Sequence, residues 1–408
     1  MRKTSYLMKT LLINVMATFL LLSTLDLIAY LFLPHSIATI FPDYQQTERP
    51  DVLGRGAYPK DYFVQNKQRG FDIGENRRAF HWVEGIKYKI WSNSLGCFDN
   101  EHSNYDDYVY FAGDSFTWGY TPFDQKFGTI VEKRSGGTVL KCGVTHTGQL
   151  HQYEKLVEVA AKVGAIPRAV VVFYTPNDVA NDHFHPHSTV IDGWLVDNVV
   201  IDRNDRPVRR SDAELKKDLD DHLRDQQEQR ERNRSVAARI KSTALRYSLS
   251  LNIVDAGYRR VKSSLTARVG PLVTSDASLP PTRSFYLIPH EFNGRFWYTN
   301  NPSAVENKAA ILLLRDFAVR NNVALVFVLI PEKAAAINEA WYEELRLFLS
   351  ANKLRYIDLT TYFREGDAKP SDLYWRRNPH FNPKGNEVVA EVLLREIPEL
   401  LSNRHVVD

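Results

Sequence analysis

The sequence is poor in cysteine and in net charge, and both shortages exclude classes of protein. Only two cysteines, Cys97 and Cys142, occur among 408 residues, too few for a disulfide framework or a thiolate zinc site. The 52 Lys and Arg residues nearly balance the 49 Asp and Glu residues, leaving a net charge of +3. Nothing here suggests nucleic-acid binding, which needs basic residues concentrated on one face. With 44% hydrophobic residues, the chain has ample material for a core.

One long apolar run lies near the N-terminus. It extends from Leu11 to Leu33, and its 23 positions suit a bilayer-spanning helix. Arg2, Lys3 and Lys9 precede it and place that end in the cytoplasm. An anchor is favoured over a cleavable signal peptide, whose apolar region is shorter. Asp26 is costly in the run, and a tolerated polar residue near the outer interface is favoured over a functional one. The sequence thus predicts a single-pass protein of the bacterial cytoplasmic membrane, with its catalytic domain on the periplasmic or extracellular side.

From Tyr108 onward, short apolar runs alternate with segments that have a helical pattern. The runs are nearly continuous, as expected of strands buried on both faces. They lie at Tyr108–Ala112, Thr138–Cys142, Ala169–Tyr174, Ala324–Ile330 and Arg355–Leu359. The helical patterns lie at Gln125–Arg134, Gln149–Val163, Ala304–Asn321 and Ala336–Asn352, and a last helix begins at Pro383 with Asn382 as its N-cap. This alternation predicts an α/β fold, a parallel sheet between two layers of helices.

The alternation sets the predicted domain boundaries. Residues 1–33 form the cytoplasmic tip and anchor, and residues 34–105 an irregular lead-in. Residues 106–183 and 299–408 form the α/β domain, which is interrupted by a largely helical insertion over 184–298. Ser211 and Glu214 form a capping box that opens the insertion's helix. The insertion is either a lid or partner-binding arm, or a solvated helical hairpin with no binding role.

The strongest local signal is the segment Gly113-Asp114-Ser115 at the end of the first predicted strand. Open α/β sheets bind ligands at the carboxyl ends of their strands. The backbone N–H of Ser115 then lies at a helix start, where unpaired N–H groups favour a developing oxyanion. Gly143, Asn177 and His380 each follow a further predicted strand, so all four residues are expected to meet at one sheet edge.

This set resembles the SGNH (GDSL-like) hydrolase family over roughly residues 90–185 and 300–400. Asn93-Ser94-Leu95-Gly96 and Leu373-Tyr374 also look like membrane-anchored bacterial members. The resemblance implies a flavodoxin-like three-layer fold. It implies that Ser115 is the nucleophile, that His380 is its base, and that Ser115 N–H, Gly143 N–H and the Asn177 side chain form the oxyanion hole.

The chain departs from the family at the third member of the triad. Family members carry an Asp two or three residues before the His, where this chain has Asn378 and Arg377. Asn378 could still orient the imidazole through its amide oxygen, in a slow enzyme. The expected activity is ester hydrolysis through an acyl-Ser intermediate, on O-acetyl groups of an envelope or extracellular glycan and beside envelope polysaccharide machinery. The alternatives are acetyl transfer to a polysaccharide and an inactive binding or assembly protein.

Two further patterns concern metals and redox chemistry. His183, His185 and His187 alternate and could present three imidazoles on one face, but a polar loop is favoured. The expected chemistry needs no metal or cofactor. Cys97 and Cys142 both lie close to the predicted sheet edge, so a disulfide between them is a hypothesis, with two free thiols as the alternative.

Overall fold

The structure is a computed structural model. It describes residues 13–14, 16–18, 20–28, 58–84, 86–201, 207–233, 240–241, 244–245, 248–258, 283–284, 304–333, 342–366, 368–376 and 378–402. These residues form two compact units, one comprising residues 50–219 and 279–408 and the other residues 1–49 and 220–278.

The larger unit is built on a five-stranded parallel sheet. Its strands are β5 (Tyr108–Gly113), β6 (Thr138–Lys141), β7 (Ala169–Tyr174), β13 (Ala324–Leu329) and β14 (Arg355–Asp358). Their spatial order is β14-β13-β7-β5-β6, and each strand pairs with its neighbours in parallel. Counted in chain order this is 2-1-3-4-5, the flavodoxin-like order. The α/β prediction is confirmed, and each strand boundary lies within one residue of the predicted one.

Helices cover both faces of this sheet. They are Ser115–Trp118, Phe127–Ser135, Gln149–Val163, Asp178–His183, Ala304–Asn321, Glu343–Ala351, Leu359–Glu365, Pro383–Glu396 and Pro398–Leu401. Along β5, Tyr108 and Tyr110 join one apolar core while Val109 and Phe111 join the other. Because successive strand residues point to opposite faces, this alternation separates the two helical layers. The predicted start of the last helix is confirmed, since the side chain of Asn382 accepts from Gly385 N at 3.0 Å.

The segment before the sheet is not irregular, so that prediction is wrong for residues 63–91. It forms two antiparallel hairpins, β1 (Phe63–Asn66) with β2 (Gly70–Ile73) and β3 (Arg78–Val83) with β4 (Ile86–Trp91). His81 of the second hairpin packs against Trp118 of the helix that begins at Ser115, and Phe63 and Phe71 of the first hairpin belong to the same buried cluster. The hairpins therefore pack beside the sheet edge where Ser115, the candidate nucleophile, lies.

The inserted segment begins with strands and continues as helix. The strands are β8 (Ser188–Ile191), β9 (Trp194–Asp197), β10 (Val199–Ile201), β11 (Pro207–Arg209) and β12 (Arg283–Ser284), and the helix is Asp212–Asn233. The capping box is present: Ser211 N donates to the Glu214 carboxylate at 2.8 Å, and Glu214 N donates to Ser211 Oγ at 3.4 Å. The short strands were missed because they contain only two to four residues.

The smaller unit contains part of the predicted anchor. Among the described residues, no helix is both long and apolar enough to span a membrane. The anchor residues 11–12, 15, 19 and 29–33 lie outside those that the structure describes. Within the unit, the carboxylate of Asp26 accepts hydrogen bonds from Ser248 Oγ at 2.6 Å, Ser250 N at 2.8 Å and Ser250 Oγ at 2.9 Å. A partner for Asp26 therefore lies in the same chain, at the start of a helical segment over residues 249–258.

Candidate active site

Ser115 lies where β5 turns into a short helix. Asp114 caps that helix, and its carboxylate accepts from Phe116 N at 3.0 Å. Gly113 is required here because a Cβ atom would overlap the Thr117 hydroxyl. The junction holds Ser115 at the carboxyl edge of the sheet, at the first helical position.

His380 reaches Ser115 from the opposite end of the sequence. Its Nε2 atom lies 2.7 Å from Ser115 Oγ. The segment before the last helix is held by an isolated bridge between Tyr374 and Phe381, and Trp375 N donates to the His380 carbonyl at 2.9 Å. A serine hydroxyl within hydrogen-bond reach of an imidazole is the geometry of an activated nucleophile.

Asn378 completes the chain of contacts and fixes the imidazole tautomer. Its Oδ1 atom lies 2.6 Å from His380 Nδ1 and also accepts from the backbone N–H of His380 at 3.0 Å. A backbone N–H can only donate, so the Asn378 atom facing it is the oxygen. Nδ1 of His380 must then carry the proton, which leaves Nε2 free to accept the proton of Ser115.

The surroundings of His380 favour the neutral imidazole. Tyr120 stacks on the ring with centroids 3.8 Å apart and planes 9° apart, and Phe116 lies 4.8 Å away. Burial, followed by the positive charge that His81 and His146 would carry, lowers the pKa of His380 to about 3. A base that is neutral at ordinary pH can accept a proton without first losing one.

A carboxylate does lie in this region, although not on the ring. Glu84, in the turn between β3 and β4, accepts from the backbone N of Asn378 at 3.1 Å. Lys333 Nζ donates to the carbonyls of Trp375 and Arg376 at 2.7 and 2.6 Å, and the charge of Glu84 counters the lowering of the Lys333 pKa by burial. These contacts position the segment that carries Asn378. Arg377 lies outside the described residues.

Asn177 is linked to Ser115 through Asp114. One Asp114 oxygen accepts from Asn177 Nδ2 at 3.3 Å, from Ser115 Oγ at 3.3 Å and from Thr175 Oγ1 at 2.9 Å. Thr175 Oγ1 also lies 3.1 Å from Asp178, and burial raises the pKa of both carboxyls. Two buried acids around one hydroxyl favour keeping a proton on the pair.

Gly143 lies beside the same helix start. A Cβ atom at this position would overlap Trp118 N and Thr117. Val144 N donates to the Gly113 carbonyl at 3.0 Å, which aligns the segment after β6 with the end of β5. The structure therefore brings Ser115, His380 and Asn378 into direct contact. It links Asn177 to them through Asp114 and places Gly143 against the helix that begins at Ser115.

The three alternating histidines do not share one ligand position. His183 pairs with Glu306 at 3.2 Å, whereas His185 lies 3.5 Å from Glu154. Their segment is held instead by buried Asp182, which accepts from Gln149 N and Leu150 N at 3.1 and 2.9 Å.

A second set of side chains has the spacing of metal ligands, but a lysine ammonium group pairs with its carboxylates. Asp99, His102 and Glu132 lie together within the described part of the chain. Lys141 Nζ lies 2.9 Å from Asp99 Oδ1 and 2.6 Å from Glu132 Oε2. The ammonium group already supplies the positive charge that these carboxylates need.

The disulfide hypothesis is confirmed. Cys97 and Cys142 are bonded across a sequence separation of 45 residues, with their Cα atoms 4.6 Å apart. Since Cys142 directly precedes Gly143, the bond ties the segment before β5 to this part of the sheet edge.

Several residues of the site were not predicted. Tyr120 stacks on His380, and Glu84 accepts from Asn378 N. Thr175 donates to Asp114. Of these, only Thr175 carried a usable signal, since it follows a predicted strand directly.

Comparisons with known proteins give likeness at low identity. No protein-family model and no curated protein matches the chain. A solved structure from Desulfitobacterium hafniense DCB-2, described as a lipolytic protein of the G-D-S-L family, is 11% identical, with 71% of this chain and 100% of that chain covered and a TM-score of 0.33. One from Bacteroides fragilis NCTC 9343, described as an acylhydrolase, is 11% identical, with 72% and 88% covered and a TM-score of 0.34.

A third solved structure is an acetyl xylan esterase from the rumen bacterium Butyrivibrio proteoclasticus. It is 10% identical, with 74% of this chain and 66% of that chain covered and a TM-score of 0.31.

Proposed function

We propose that the chain is an SGNH-type serine esterase that removes O-acetyl groups from a glycan of the cell envelope or the extracellular space. The observation that carries the proposal is the continuous contact from Ser115 Oγ through His380 to Asn378 Oδ1, with distances of 2.7 and 2.6 Å. It lies at the carboxyl edge of a flavodoxin-like sheet, where such folds bind ligands.

In the proposed mechanism, Ser115 Oγ attacks the ester carbonyl carbon while His380 Nε2 takes the hydroxyl proton. The resulting oxyanion accepts hydrogen bonds from Ser115 N–H, Gly143 N–H and the Asn177 side chain. His380 then gives its proton to the sugar oxygen, which leaves as the alcohol. Water attacks the acyl-Ser115 carbonyl with His380 again as base, and acetate departs as Ser115 recovers its proton.

The proposal includes a location. Residues 1–33 anchor the chain in the bacterial cytoplasmic membrane, with residues 106–183 and 299–408 as the catalytic domain on the periplasmic or extracellular side and the insertion over 184–298 between them. The basic residues before the apolar run support this orientation. The disulfide between Cys97 and Cys142 supports an oxidising compartment. A reporter fused after residue 408 should be active outside the cytoplasm, and reporter activity inside it would contradict the location.

Asn378 favours a second candidate, an SGNH-fold protein that binds a glycan or assembles with polysaccharide machinery without turnover. An uncharged amide cannot stabilise the imidazolium that forms as Ser115 loses its proton. A serine-reactive fluorophosphonate probe separates the two candidates, because labelling requires an activated hydroxyl. We expect the native chain to be labelled at Ser115 and to release acetate from acetylated sugars, and Ser115→Ala to do neither. Absence of both from the native chain would favour the inactive protein.

Release of free acetate also separates hydrolysis from transfer. If no free acetate forms and the acetyl group is found only as an ester on an added acceptor polysaccharide, the acceptor hydroxyl has taken the place of water and the chain is a transferase.

A further inference from the structure

The β3–β4 hairpin presents three cation–aromatic pairs on one face. Its antiparallel register sets Arg78 opposite Trp91, Phe80 opposite Lys89, and Trp82 opposite Lys87. These six side chains, which we call the cation–aromatic face, are exposed or half-buried. The alternate residues, which include His81, Val83, Tyr88 and Ile90, are buried. The face is therefore the solvent side of a two-sided ribbon.

The charge of this face is of one sign. Within the part of the chain that the structure describes, no carboxylate pairs with Arg78, Lys87 or Lys89. Lys87 Nζ instead lies over the rings of Phe80 and Trp82, 4.2 and 4.8 Å from their centroids. Cation–π contacts hold the side chain without neutralising its charge. The face therefore offers cations to an external anion.

The same face borders a cavity of about 660 Å³. Its walls include Arg78, Phe80, Lys89 and Trp91, together with Asn100 and Glu101. Glu101 stays charged, because within the described part of the chain its carboxylate accepts only from neutral groups, Ser94 N at 2.5 Å and Ser94 Oγ at 2.9 Å. Asp99 also lines the cavity, and its carboxylate pairs with Lys141 Nζ at 2.9 Å. Among the described residues of this wall, the exposed cations Arg78 and Lys89 outnumber the exposed carboxylate Glu101, so the concave surface with its aromatic rings suits a ligand having both CH faces and negative charge.

The hairpin is part of the active-site edge. On its buried side, the His81 ring packs against Trp118 and Tyr120 at 5.0 Å. Its turn contributes Glu84, which accepts from Asn378 N. A polymer bound along the cation–aromatic face would therefore lie on the element that contacts the segment carrying His380.

We propose that the cation–aromatic face binds an acidic polysaccharide, one whose sugars carry carboxylates. Aromatic rings pack against the apolar CH faces of sugars, and Arg and Lys pair with the carboxylates through charge-assisted hydrogen bonds. The alternation of rings and cations along a concave wall favours this ligand over a lipid surface, which is met by an apolar face with basic flanks. The inference rests on the proposed function and narrows its glycan to an acidic one.

Binding of the native full-length chain to polygalacturonate tests the inference. We expect binding that weakens with added NaCl, and at least tenfold weaker binding to a neutral glucan. The double variant Arg78→Ala/Lys89→Ala should bind polygalacturonate at least tenfold more weakly. Lys133→Ala/Lys217→Ala removes the same charge from exposed positions elsewhere and should bind as the native chain does. Phe80→Ala, at a side chain that is 43% exposed, should also weaken binding.

Three outcomes would overturn the inference: equal loss in both double variants, no loss in either, or binding to phosphatidylglycerol vesicles or single-stranded DNA but not to polygalacturonate. Fluorophosphonate labelling of the same samples keeps the two proposals apart. If the probe labels the protein but the protein does not bind polygalacturonate, the proposal for the cation–aromatic face alone is refuted. If the protein binds polygalacturonate but is not labelled, the esterase proposal alone is refuted.

Discussion

The side-chain oxygen of Asn378 accepts two hydrogen bonds from one residue, the ring Nδ1–H and the backbone N–H of His380, at 2.6 and 3.0 Å. The second bond determines the orientation of the amide, and the amide then determines the tautomer of the ring. A carboxylate in this place would do the same and would also stabilise positive charge on the imidazole. Asn378 thus fixes the tautomer of the ring, as a triad carboxylate would, but does not supply the negative charge that would stabilise the imidazolium.

We therefore predict that Asn378→Asp is faster than the native chain. The change supplies the missing charge, and in serine proteases the reverse change lowers kcat by about 10⁴. We expect kcat/KM on an acetyl ester to rise by about tenfold or more. Each tenfold rise corresponds to an activation free energy that is lower by about 1.4 kcal/mol. Asn378→Ala, which loses the acceptor, should fall below the native rate. An unchanged rate in a correctly folded Asn378→Asp would mean that another group orients His380.

The pH profile provides a separate test. Only neutral His380 can accept the proton, and burial lowers the pKa of its imidazole to about 3. The rate should consequently persist as the pH falls through about 6.5, where an ordinary histidine gains its proton, and should decline only at much lower pH. Asn378→Asp should raise this pKa and move the acid limb upward. Circular dichroism at each pH checks that the fold persists, and a native acid limb near 6.5 would contradict the prediction.

Glu84 should act by position more than by charge. Glu84→Ala removes the acceptor for Asn378 N, and we expect kcat/KM to fall by about threefold to tenfold, the effect of about 1 kcal/mol. Glu84→Gln keeps an acceptor oxygen and should largely restore the rate. Glu75→Ala, at an exposed acid outside this contact, is the matched control. Equal losses in Glu84→Gln and Glu84→Ala would assign the effect to the charge.

The disulfide should contribute measurably to the stability of the larger unit. It spans a sequence separation of 45 residues, and the loop-entropy relation gives about 3–4 kcal/mol for a loop of that length. Cys97→Ala/Cys142→Ala should therefore unfold at a lower urea concentration, as should the native chain under a reductant. If reduction leaves the unfolding midpoint unchanged, the bond adds no stability in water.

The sheet could be predicted from sequence because its strands are buried on both faces. In β7 all six residues are buried, so the run Ala169–Tyr174 is continuous in the sequence and its boundaries are correct. The helices Gln149–Val163 and Ala304–Asn321 also have their predicted boundaries. The β3–β4 hairpin was missed because its exposed side mixes rings and cations, which hides the period of two expected of a strand.

The site shows the same division. The sequence could single out Ser115, His380 and Asn378, because each follows a predicted strand or stands in a known motif. The structure brings the three residues together. Their roles stay a prediction. The ring contact between Tyr120 and His380 joins positions 260 residues apart, and no local pattern specifies it. The orientation of the Asn378 amide depends on a backbone N–H, which sequence alone does not place.

The contacts of Asp26 affect how a fragment limited to the larger unit would have to be made. Its carboxylate is held by Ser248 and Ser250, and both partners belong to the compact unit formed by residues 1–49 and 220–278. Deleting the N-terminal segment alone would remove the acceptor to which Ser248 and Ser250 donate. Truncation at one end would thus leave the smaller unit incomplete in the middle of the chain. A fragment limited to the larger unit therefore calls for two cuts, one before residue 50 and one that replaces residues 220–278 with a short polar linker.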